Sequence, residues 1–255
     1  MPDEKQKQTP QRLDKLIASQ TALSRSDVRK LIREGRVRVD GRPVYSADQK
    51  VQTDIAKVEV DGRLLLYEKY VYYMLHKPAG VLSSTKEPGR KTVVDLVEAK
   101  TGRRGLFPVG RLDKDTTGLL LLTDDGDFAH QVISPKNGIE KAYLARLDGP
   151  VAEETLRRFA EGVVLADGTP CRPARLRVIE EGKTPLAEVV VTEGKYHQVK
   201  RMFGAAGLGV MSLERVRIGE LCLDEDLRPG DFRPLSEEEK IRVLLGKQDK
   251  SKNEE

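Results

Sequence analysis

The sequence predicts an α+β protein: a small first domain of α-helices and a β-hairpin, followed by a larger mixed domain with a largely antiparallel sheet. Near the start, two short segments repeat apolar residues at helical spacing, and an alternating run with an Asp-Gly turn follows them. From Tyr70 onward, short β-like runs lie between helical stretches: YVYYML, LLLLT, KAYLARL and AEVVVT. With 255 residues and 38% hydrophobic content, the chain has the length for two domains and the apolar content for a real core.

The first domain begins with two short amphipathic helices. Their apolar residues recur at i, i+3 and i+4: Leu13, Leu16 and Ile17, then Val28, Leu31 and Ile32. Ser24 and Asp27 have the spacing of a capping box at the start of the second helix, and Gly35 tolerates the left-handed conformation at its end. The run RVRVDGRPV then alternates around Asp40-Gly41, which predicts a hairpin.

The expected organisation is a disordered tail at 1–10, a first domain at 11–60, a linker at 61–69, a second domain at 70–246 and a disordered tail at 247–255. Both tails are polar and charged and lack an apolar period. The linker begins around Asp61-Gly62-Arg63, where the chain is expected to leave the first domain.

Composition excludes some classes of protein. No apolar run approaches the roughly 18 residues of a membrane span, and the first ten residues lack the apolar core of a secretory signal, so we expect a soluble cytoplasmic protein. Cys171 and Cys222 lie far apart without metal-ligand spacing, and we expect both to be small buried residues. The net charge of +4 does not by itself identify a nucleic-acid binder.

The distribution of positive charge is more informative than its total. Four arginines follow at steps of four, four and three and form one basic face: Arg25, Arg29, Arg33 and Arg36. Because no acidic partner interrupts this pattern, we expect it to bind RNA phosphates; the alternative is an ordinary solvated face. The chain from Arg12 to about Val60 also resembles the S-four RNA-binding module, through RLDKLIA, SRSDVRKLIREGRVRVDG and a later apolar strand.

The most informative segment of the second domain is GRLDKDTTGLLLLTDDG, residues 110–126. Gly110 predicts a turn, and a polar loop with Arg111 and Asp113 follows it. After the permissive Gly118, four leucines predict a buried strand, which is a rigid base for a loop carboxylate. From these properties alone, however, Asp113 is more often a turn or cap residue than a catalytic one.

This segment resembles the catalytic motif of the pseudouridine synthases, in particular the subfamily that acts on small-subunit (16S) ribosomal RNA. The resemblance implies that Asp113 is the catalytic carboxylate. It also implies that Arg111 enters the RNA stack at the place left by the extracted base. On this basis Asp113 is interpreted as catalytic rather than as a turn residue.

Two further segments resemble the family pattern in the expected order. His76-Lys-Pro-Ala-Gly80 resembles the first motif, whose turn supports the active-site loop, so its role is expected to be structural. Lys141-Ala-Tyr143 resembles the strand whose tyrosine packs against the target uracil. Without the resemblance, Tyr143 would be interpreted as a core aromatic.

The segment from Glu193 to Phe203 resembles the third motif and also predicts a helix. Its apolar stripe consists of Val199, Met202, Phe203 and Ala206. His197, Lys200 and Arg201 share another side of this helix. The resemblance implies that a basic residue here pairs with Asp113, and the matching position is Lys200, with Arg201 as the near alternative. We expect His197 to be an RNA contact or a structural residue rather than a general base.

We expect neither a metal nor a cofactor. Asp124-Asp125 with Gly126 predicts a strand-ending turn rather than a metal site. The sequence contains no dinucleotide fingerprint, phosphate loop or metal-ligand cluster. Isomerisation of uridine agrees with this expectation, because it needs no redox change and no outside group.

The sequence therefore predicts a monomeric enzyme that isomerises a uridine of 16S ribosomal RNA, free or within a partly assembled small subunit. The small-subunit type is favoured because large-subunit relatives typically have Asn-Arg-Gln where this chain has Tyr196-His197-Gln198. The alternatives are a large-subunit (23S) enzyme, a non-catalytic assembly factor that binds ribosomal RNA, and an RNA glycosidase using Asp113 and Asp115. A covalent adduct of Asp113 and a glycal intermediate are both open.

Overall fold

The computed structural model describes residues 10–53 and 55–245, which fall into two compact units. The first unit contains the described residues up to Tyr70 together with Asp95–Leu106, and the second contains Val71–Val94 and the described residues from Phe107 onward. The tails expected at 1–10 and 247–255 lie outside the described residues, apart from Pro10. Within the described ranges, no helix has the length and apolar character needed to cross a membrane.

The first unit consists of short helices and two small sheets. Its elements are β1 (Gln11–Arg12), α1 (Leu13–Gln20), α2 (Arg25–Arg33), β2 (Val37–Val39), β3 (Arg42–Pro43), β4 (Lys50–Val51), β5 (Val58–Val60), β6 (Arg63–Leu64) and most of α3 (Val93–Thr101). β1 pairs with β4, and the other strands form an antiparallel sheet in the order β3-β2-β5-β6. The apolar residues predicted for the two helices lie in or against the core of this unit.

The predicted helix cap and hairpin of the first unit are confirmed. Ser24 and Asp27 form the capping box at the start of α2, and Gly35 follows its end with a φ of +70°. Asp40-Gly41 is the two-residue turn between β2 and β3. Both of its residues have positive φ, as a type I′ turn requires.

The boundaries of the first unit differ from those expected. Residues 61–69, expected as a linker, contain β6, and Asp61-Gly62 is a second two-residue turn with positive φ that joins β5 to β6. Residues 95–106, expected in the second domain, belong to the first unit. The buried Arg103 gives the physical reason: its guanidinium donates to the side-chain oxygen of Gln20 at 2.7 Å and to two main-chain carbonyls shortly before Tyr70.

The second unit is an α+β body around a nine-stranded sheet. Its elements are β7 (Tyr72–Lys77), β8 (Phe107–Pro108), β9 (Thr117–Thr123), α4 (Gly126–Ile133), a 3-10 helix (Pro135–Asn137), β10 (Lys141–Leu147), α5 (Glu153–Glu161), β11 (Arg175–Glu180), β12 (Leu186–Val191), α6 (Gln198–Ala205), β13 (Val210–Ile218), β14 (Leu221–Cys222), β15 (Phe232–Pro234) and α7 (Glu237–Leu244). The strands run in the order β11-β12-β10-β13-β9-β7-β15, with β8 on β9 and β14 on β13. The pairing is largely antiparallel, as predicted, with a parallel pair at β13 and β9.

Strand β9 contains the predicted buried run and is the base of the loop that precedes it. The four leucines at 119–122 are at most 1% exposed. They pair with β7 in antiparallel register, so this strand is enclosed in the sheet. Beyond its end, Asp125 caps α4 by accepting hydrogen bonds from the main-chain N–H groups of Asp127 and Phe128. The pair Asp124-Asp125 thus follows the strand end, as predicted, and also starts the next helix.

The prediction that both cysteines are buried is wrong for Cys222. Cys171 lies in the core of the second unit, whereas Cys222 is exposed on the two-residue strand β14. Side chains alternate between the two faces of a strand. Since Leu221 faces the core, Cys222 points away from it.

Candidate active site

The candidate site is built around the loop at residues 109–116, between β8 and β9. The buried hydroxyl of Ser83 holds the main chain of this loop from behind. It donates to the carbonyl of Leu112 at 2.8 Å and accepts from the N–H of Leu112 at 3.1 Å. The main-chain N–H of Gly80 adds a hydrogen bond of 2.7 Å to the carbonyl of Lys114. The loop is therefore held in one conformation by groups distant in sequence.

Lys77 is the second support of the loop. Its side chain is completely buried, and its ammonium donates to three carbonyls at 2.9–3.2 Å: those of Pro78, Lys114 and Thr116. Burial lowers the pKa of Lys77 to about 8, although the charges of Asp115 and Asp113 oppose this shift. The segment from His76 to Gly80 thus supports the loop, as its sequence predicts.

Asp113 extends from this supported loop, and its side chain is 24% exposed. The Nζ atom of Lys200 lies 3.6 Å from Oδ2 of Asp113, so the expected ion pair is present. The same ammonium is closer to Asp115, at 2.6 Å from its Oδ1. A hydrogen bond from Lys200 lowers the pKa of Asp115. The ammonium of Lys200 therefore lies beside Asp113 but donates its short hydrogen bond to Asp115.

His197 is the second partner of Asp113, with its Nε2 atom 3.3 Å from Oδ1. It directly precedes α6 and has a φ of +49°, which is uncommon for a residue other than glycine. Its ring stacks on the exposed ring of Tyr196, with 3.9 Å between ring centroids. The sequence suggested an RNA contact or a structural role for His197. The structure places the imidazole beside the candidate catalytic carboxylate, in a backbone conformation typical of constrained functional sites.

Helix α6 decides which cation faces Asp113. Val199, Met202 and Phe203 are buried, as predicted for its apolar side. Successive helix residues point about 100° apart, so Lys200 and Arg201 face different surroundings. Arg201 pairs with Asp167 instead of Asp113. The alternative that Arg201 is the partner of Asp113 is therefore wrong.

Asp113 lines a cavity of about 960 Å³. Its floor includes one face of the sheet, with Tyr143 on β10 and Arg215 on the neighbouring β13. These two residues are cross-strand partners, and Nη1 of Arg215 lies 3.4 Å from the hydroxyl of Tyr143. The exposed Arg111 and the imidazole of His197 also line the cavity. The structure thus brings Asp113, Arg111, Tyr143 and His197 to one cavity. Lys200 contacts Asp113 without being among the described residues that line the cavity, and Arg201 is not among them either.

A close approach between β9 and β13 requires glycine at position 118. Gly118 has a φ of +100°, and a Cβ atom there would lie 2.3 Å from the carbonyl oxygen of Arg215. The sequence identified Gly118 as permissive, and the structure supplies the reason. The same approach fixes the side chain of Arg215, whose Nε donates to the carbonyl of Leu119 at 2.7 Å.

In the first unit, the predicted basic face has acidic partners that the sequence pattern did not show. Arg25, Arg29 and Arg12 all donate to the carboxylate of Asp14. The side chain of Asp14 is fully buried, whereas the three arginine side chains are about half exposed. Asp14 lies on α1, so spacing along α2 alone could not reveal it.

The other two arginines of the basic face differ from each other. Arg36 forms two hydrogen bonds of 2.6 and 2.8 Å to the carboxylate of Asp61. Arg33 is exposed, and within the described residues it has no acidic partner. The expectation of an uninterrupted basic face is therefore wrong. What remains is a partly neutralised surface with Arg33 as its unpaired cation in the described chain.

Two buried cations that line the cavity were not among the predicted site residues: Lys141 and Arg215. Lys141 lies two residues before Tyr143, and Arg215 lies two residues after Leu213. Residues two apart on a strand share a face. Once Tyr143 was placed at the site, this alternation was the signal that could have found Lys141.

A family model described as RNA pseudouridylate synthase matches residues 71–205, and a model described as S4 domain matches residues 11–54. A ribosomal small subunit pseudouridine synthase A from Salmonella typhimurium is 45% identical over 231 residues, covering 89% of this chain and 97% of the relative. An uncharacterized RNA pseudouridine synthase from Bacillus subtilis, YtzG, is 40% identical over 230 residues, covering 89% and 96%. A crystal structure of a pseudouridylate synthase is similar with a TM-score of 0.64 and 38% identity, covering 91% of this chain and 99% of that one.

Proposed function

The chain belongs to the RNA pseudouridylate synthase family, and we propose that it isomerises one uridine of small-subunit ribosomal RNA with Asp113 as its catalytic carboxylate. One observation carries this proposal. Asp113 is presented on a supported loop, beside the ammonium of Lys200 and the imidazole of His197, at a cavity that Tyr143 also lines. A cavity of about 960 Å³ is of the size that encloses a small organic ligand, and an extracted nucleotide falls in that range.

The reaction breaks the bond from ribose C1′ to uracil N1, turns the detached base, and forms a bond from C1′ to C5. A carboxylate is suited to this work because it can stabilise positive charge at C1′ or bond to it, and can then assist removal of the C5 proton. Both the covalent and the glycal route need Asp113 to be ionised. Lys200 places a positive charge 3.6 Å from that carboxylate.

Because the reacting bond lies inside stacked RNA, the nucleotide must leave the stack before it reaches Asp113. Tyr143 is proposed to pack against the extracted uracil on the cavity floor. Arg111, exposed at the cavity wall, is proposed to enter the space that the base leaves in the RNA. His197 and Arg201 are proposed to contact the RNA around the cavity mouth, in addition to their partners in the protein.

The first unit is proposed to add affinity through phosphate contacts. Arg33 is available for this purpose, and Arg25 and Arg29 are about half exposed with further N–H groups beyond those that reach Asp14. Arg36 is a weaker candidate because Asp61 occupies two of its nitrogens. Such contacts are independent of RNA sequence and weaken as salt concentration rises.

The small-subunit substrate is proposed from the relative named for it, which is similar over nearly its whole length. The enzyme is proposed to act as a monomer and, because its proposed substrate is ribosomal RNA, to work in the cytoplasm. A non-catalytic assembly factor would have no use for Asp113 and Tyr143 at one cavity, with Lys200 paired to that carboxylate.

The test is to incubate the protein with 16S RNA, 23S RNA and partly assembled small-subunit particles, and then to map pseudouridines by carbodiimide modification and primer extension. We expect one new pseudouridine in 16S RNA or in the particle. Conversion of 23S RNA alone would replace the proposed substrate. Release of free uracil would indicate a glycosidase, and RNA binding without any conversion would indicate an assembly factor.

A further inference from the structure

Two positive charges lie buried on the cavity floor without a carboxylate partner among the described residues. Lys141 on β10 is 9% exposed and Arg215 on β13 is 3% exposed, and both line the cavity. Within residues 10–53 and 55–245, neither forms an ion pair with an acidic side chain. Buried lysines and arginines are ordinarily paired, so these two call for an explanation.

The hydrogen bonds of both groups are incomplete. Nη2 of Arg215 is buried and has no hydrogen-bond partner in the described part of the chain, although Nε and Nη1 reach Leu119 and Tyr143. The ammonium of Lys141 donates to two carbonyls, those of Ile139 at 2.9 Å and Val132 at 3.4 Å. One proton of Lys141 is thus left over among the described contacts, and a ligand in the cavity could accept it.

Lys77 provides an internal comparison for Lys141. It too is a buried lysine whose hydrogen bonds within the described structure go to carbonyls, but it has three of them, one for each ammonium proton. Lys77 therefore has a complete structural role under the loop. Lys141 has a remaining donor at the cavity, and Arg215 has an unpaired nitrogen beside it.

The electrostatics also indicate that these two charges contribute little to the stability of the fold. Burial, and after it the charge of Arg215, lower the pKa of Lys141 to about 8, so the protein holds two like charges close together in a poorly solvated place. Such an arrangement is retained at sites that act on a ligand more often than in structural cores. The ligand would carry negative charge at the cavity floor.

We infer that Lys141 and Arg215, here called the cationic floor, stabilise the negative charge that uracil carries once its bond to ribose has broken. The inference rests on the proposed function. When the N1–C1′ bond breaks, its electron pair leaves with N1 and spreads onto the O2 and O4 oxygens of the ring. C5 then attacks C1′, C5 loses its proton and N1 gains one, so every atom of uridine is retained. Asp113 acts on the sugar, and the cationic floor acts on the base.

A uracil ring fits this floor better than a phosphate group. Beside the two cations, the cavity is lined by the ring of Tyr143 and by the apolar side chains of Val132, Leu213 and Ile218. A flat ring can cover these apolar groups while its carbonyl oxygens reach the cations. A hydrated phosphate would have to lose water against the same apolar surface without enough donors to replace it.

The test compares Lys141→Met with the unaltered enzyme in single-turnover reactions on two versions of one RNA, with uridine or 5-fluorouridine at the target. Fluorine withdraws electrons and makes the ring a better leaving group, so its departure depends less on the cationic floor. We expect Lys141→Met to slow the loss of uridine by about 10- to 100-fold with an RNA Kd within about threefold of the original. With 5-fluorouridine, the ratio of the unaltered rate to the Lys141→Met rate should be at least about threefold smaller than it is with uridine.

A structural role for Lys141 predicts different results. Methionine in place of an unpaired buried cation should leave the Tm unchanged or raise it, whereas loss of a needed structural contact would lower it. Equal slowing on both substrates together with a lowered Tm, or no slowing at all, would overturn the inference. Lys183→Met, at an exposed lysine in the turn between β11 and β12, is the matched control and should change neither rate.

Arg215 is tested through its charge. Arg215→Lys keeps a cation and should retain more activity on uridine than Arg215→Met, with the difference reduced on 5-fluorouridine. If both variants lose the same fraction of activity on both substrates, Arg215 serves only to hold β9 and Tyr143, and the inference fails for Arg215. If the unaltered enzyme converts no uridine, the proposed function itself is refuted. That outcome differs from an active enzyme whose rate does not change when the cationic floor is altered.

Discussion

Each unit of the protein contains a carboxylate in contact with basic side chains, and the two carboxylates differ in ways that indicate different roles. In the first unit, Asp14 is fully buried and accepts hydrogen bonds of 3.0–3.3 Å from Arg12, Arg25 and Arg29. Such an arrangement satisfies both carboxylate oxygens and joins α1 to α2. Asp14 is therefore interpreted as part of the fold.

In the second unit, Asp113 is partly exposed at a cavity, with Lys200 at 3.6 Å and His197 at 3.3 Å. These contacts place basic side chains beside the carboxylate without enclosing it. A cluster of opposite charges therefore does not by itself identify a catalytic site. Burial and the completeness of the hydrogen bonds distinguish a structural carboxylate from one that can meet a substrate.

The largest expected effect comes from replacing Asp113 by its isosteric amide. Asp113→Asn should lower the rate of isomerisation by about a thousandfold or more and leave RNA binding and Tm nearly unchanged, because charge and nucleophilicity are lost while shape is kept. Tritium release from 5-tritiated uridine in RNA measures the rate. Asp127→Asn, at an exposed aspartate of α4, is the control. Substantial turnover by Asp113→Asn would remove the distinction between the two clusters.

The next effect concerns the cation beside Asp113. Lys200→Met should lower turnover by about 10- to 100-fold while changing the RNA Kd by less than about threefold, because the positive charge beside the reacting carboxylate is lost. Arg201→Met, which removes the partner of Asp167, should affect turnover less. A variant at position 200 that mainly weakens RNA binding would show that Lys200 is a phosphate contact.

Asp14 should show the opposite pattern. Asp14→Asn is expected to lower the free energy of unfolding of the first unit by about 1–3 kcal/mol at pH 7, with turnover at saturating RNA unchanged. Hydrogen exchange of the α1 and α2 amides measures this unit separately. A loss of turnover without a loss of protection would contradict the structural interpretation.

The pH dependence of that effect follows from the Asp14 pKa. Burial alone would raise this pKa, but hydrogen bonds from Arg12, Arg29 and Arg25 outweigh burial and hold it well below its ordinary value. A lowered folded-state pKa stabilises the fold above the unfolded-state value of about 3.9, and this stabilisation is lost as the pH falls below it. The difference between Asp14→Asn and the unaltered protein should therefore shrink below about pH 4.

The smallest effect separates free from occupied arginines in the first unit. Arg33→Gln should reduce the slope of log Kd against log salt by about 0.7 to 1 with little change in Tm, as expected for one lost phosphate contact. Arg36→Gln, which breaks the pair with Asp61, should change the slope less and the Tm more. Equal slopes for the two variants would mean that pairing within the protein does not decide which arginine meets RNA.

Part of the architecture could be predicted because it depends on neighbours in sequence. Ser24 and Asp27 form a cap three residues apart, and Asp40-Gly41 forms a turn from two residues. Asp61-Gly62 has the same signature and the same positive φ values, so this second turn could have been predicted as well. The loop with Asp113 was found through a long motif, whose meaning came from resemblance rather than from local physics.

What the sequence determined by itself was local: where the helices of the first unit begin and end, where chain reversals occur, which runs form buried strands, and which loop carries Asp113. The tertiary structure alone decided that Lys200 rather than Arg201 meets Asp113, that Arg25 and Arg29 converge on Asp14, and that Lys141 and Arg215 share a cavity floor. The physical reason is range. Caps, turns and periodicity arise from interactions within a few residues, whereas charge partners and burial depend on helix orientation and strand register between segments far apart in the chain.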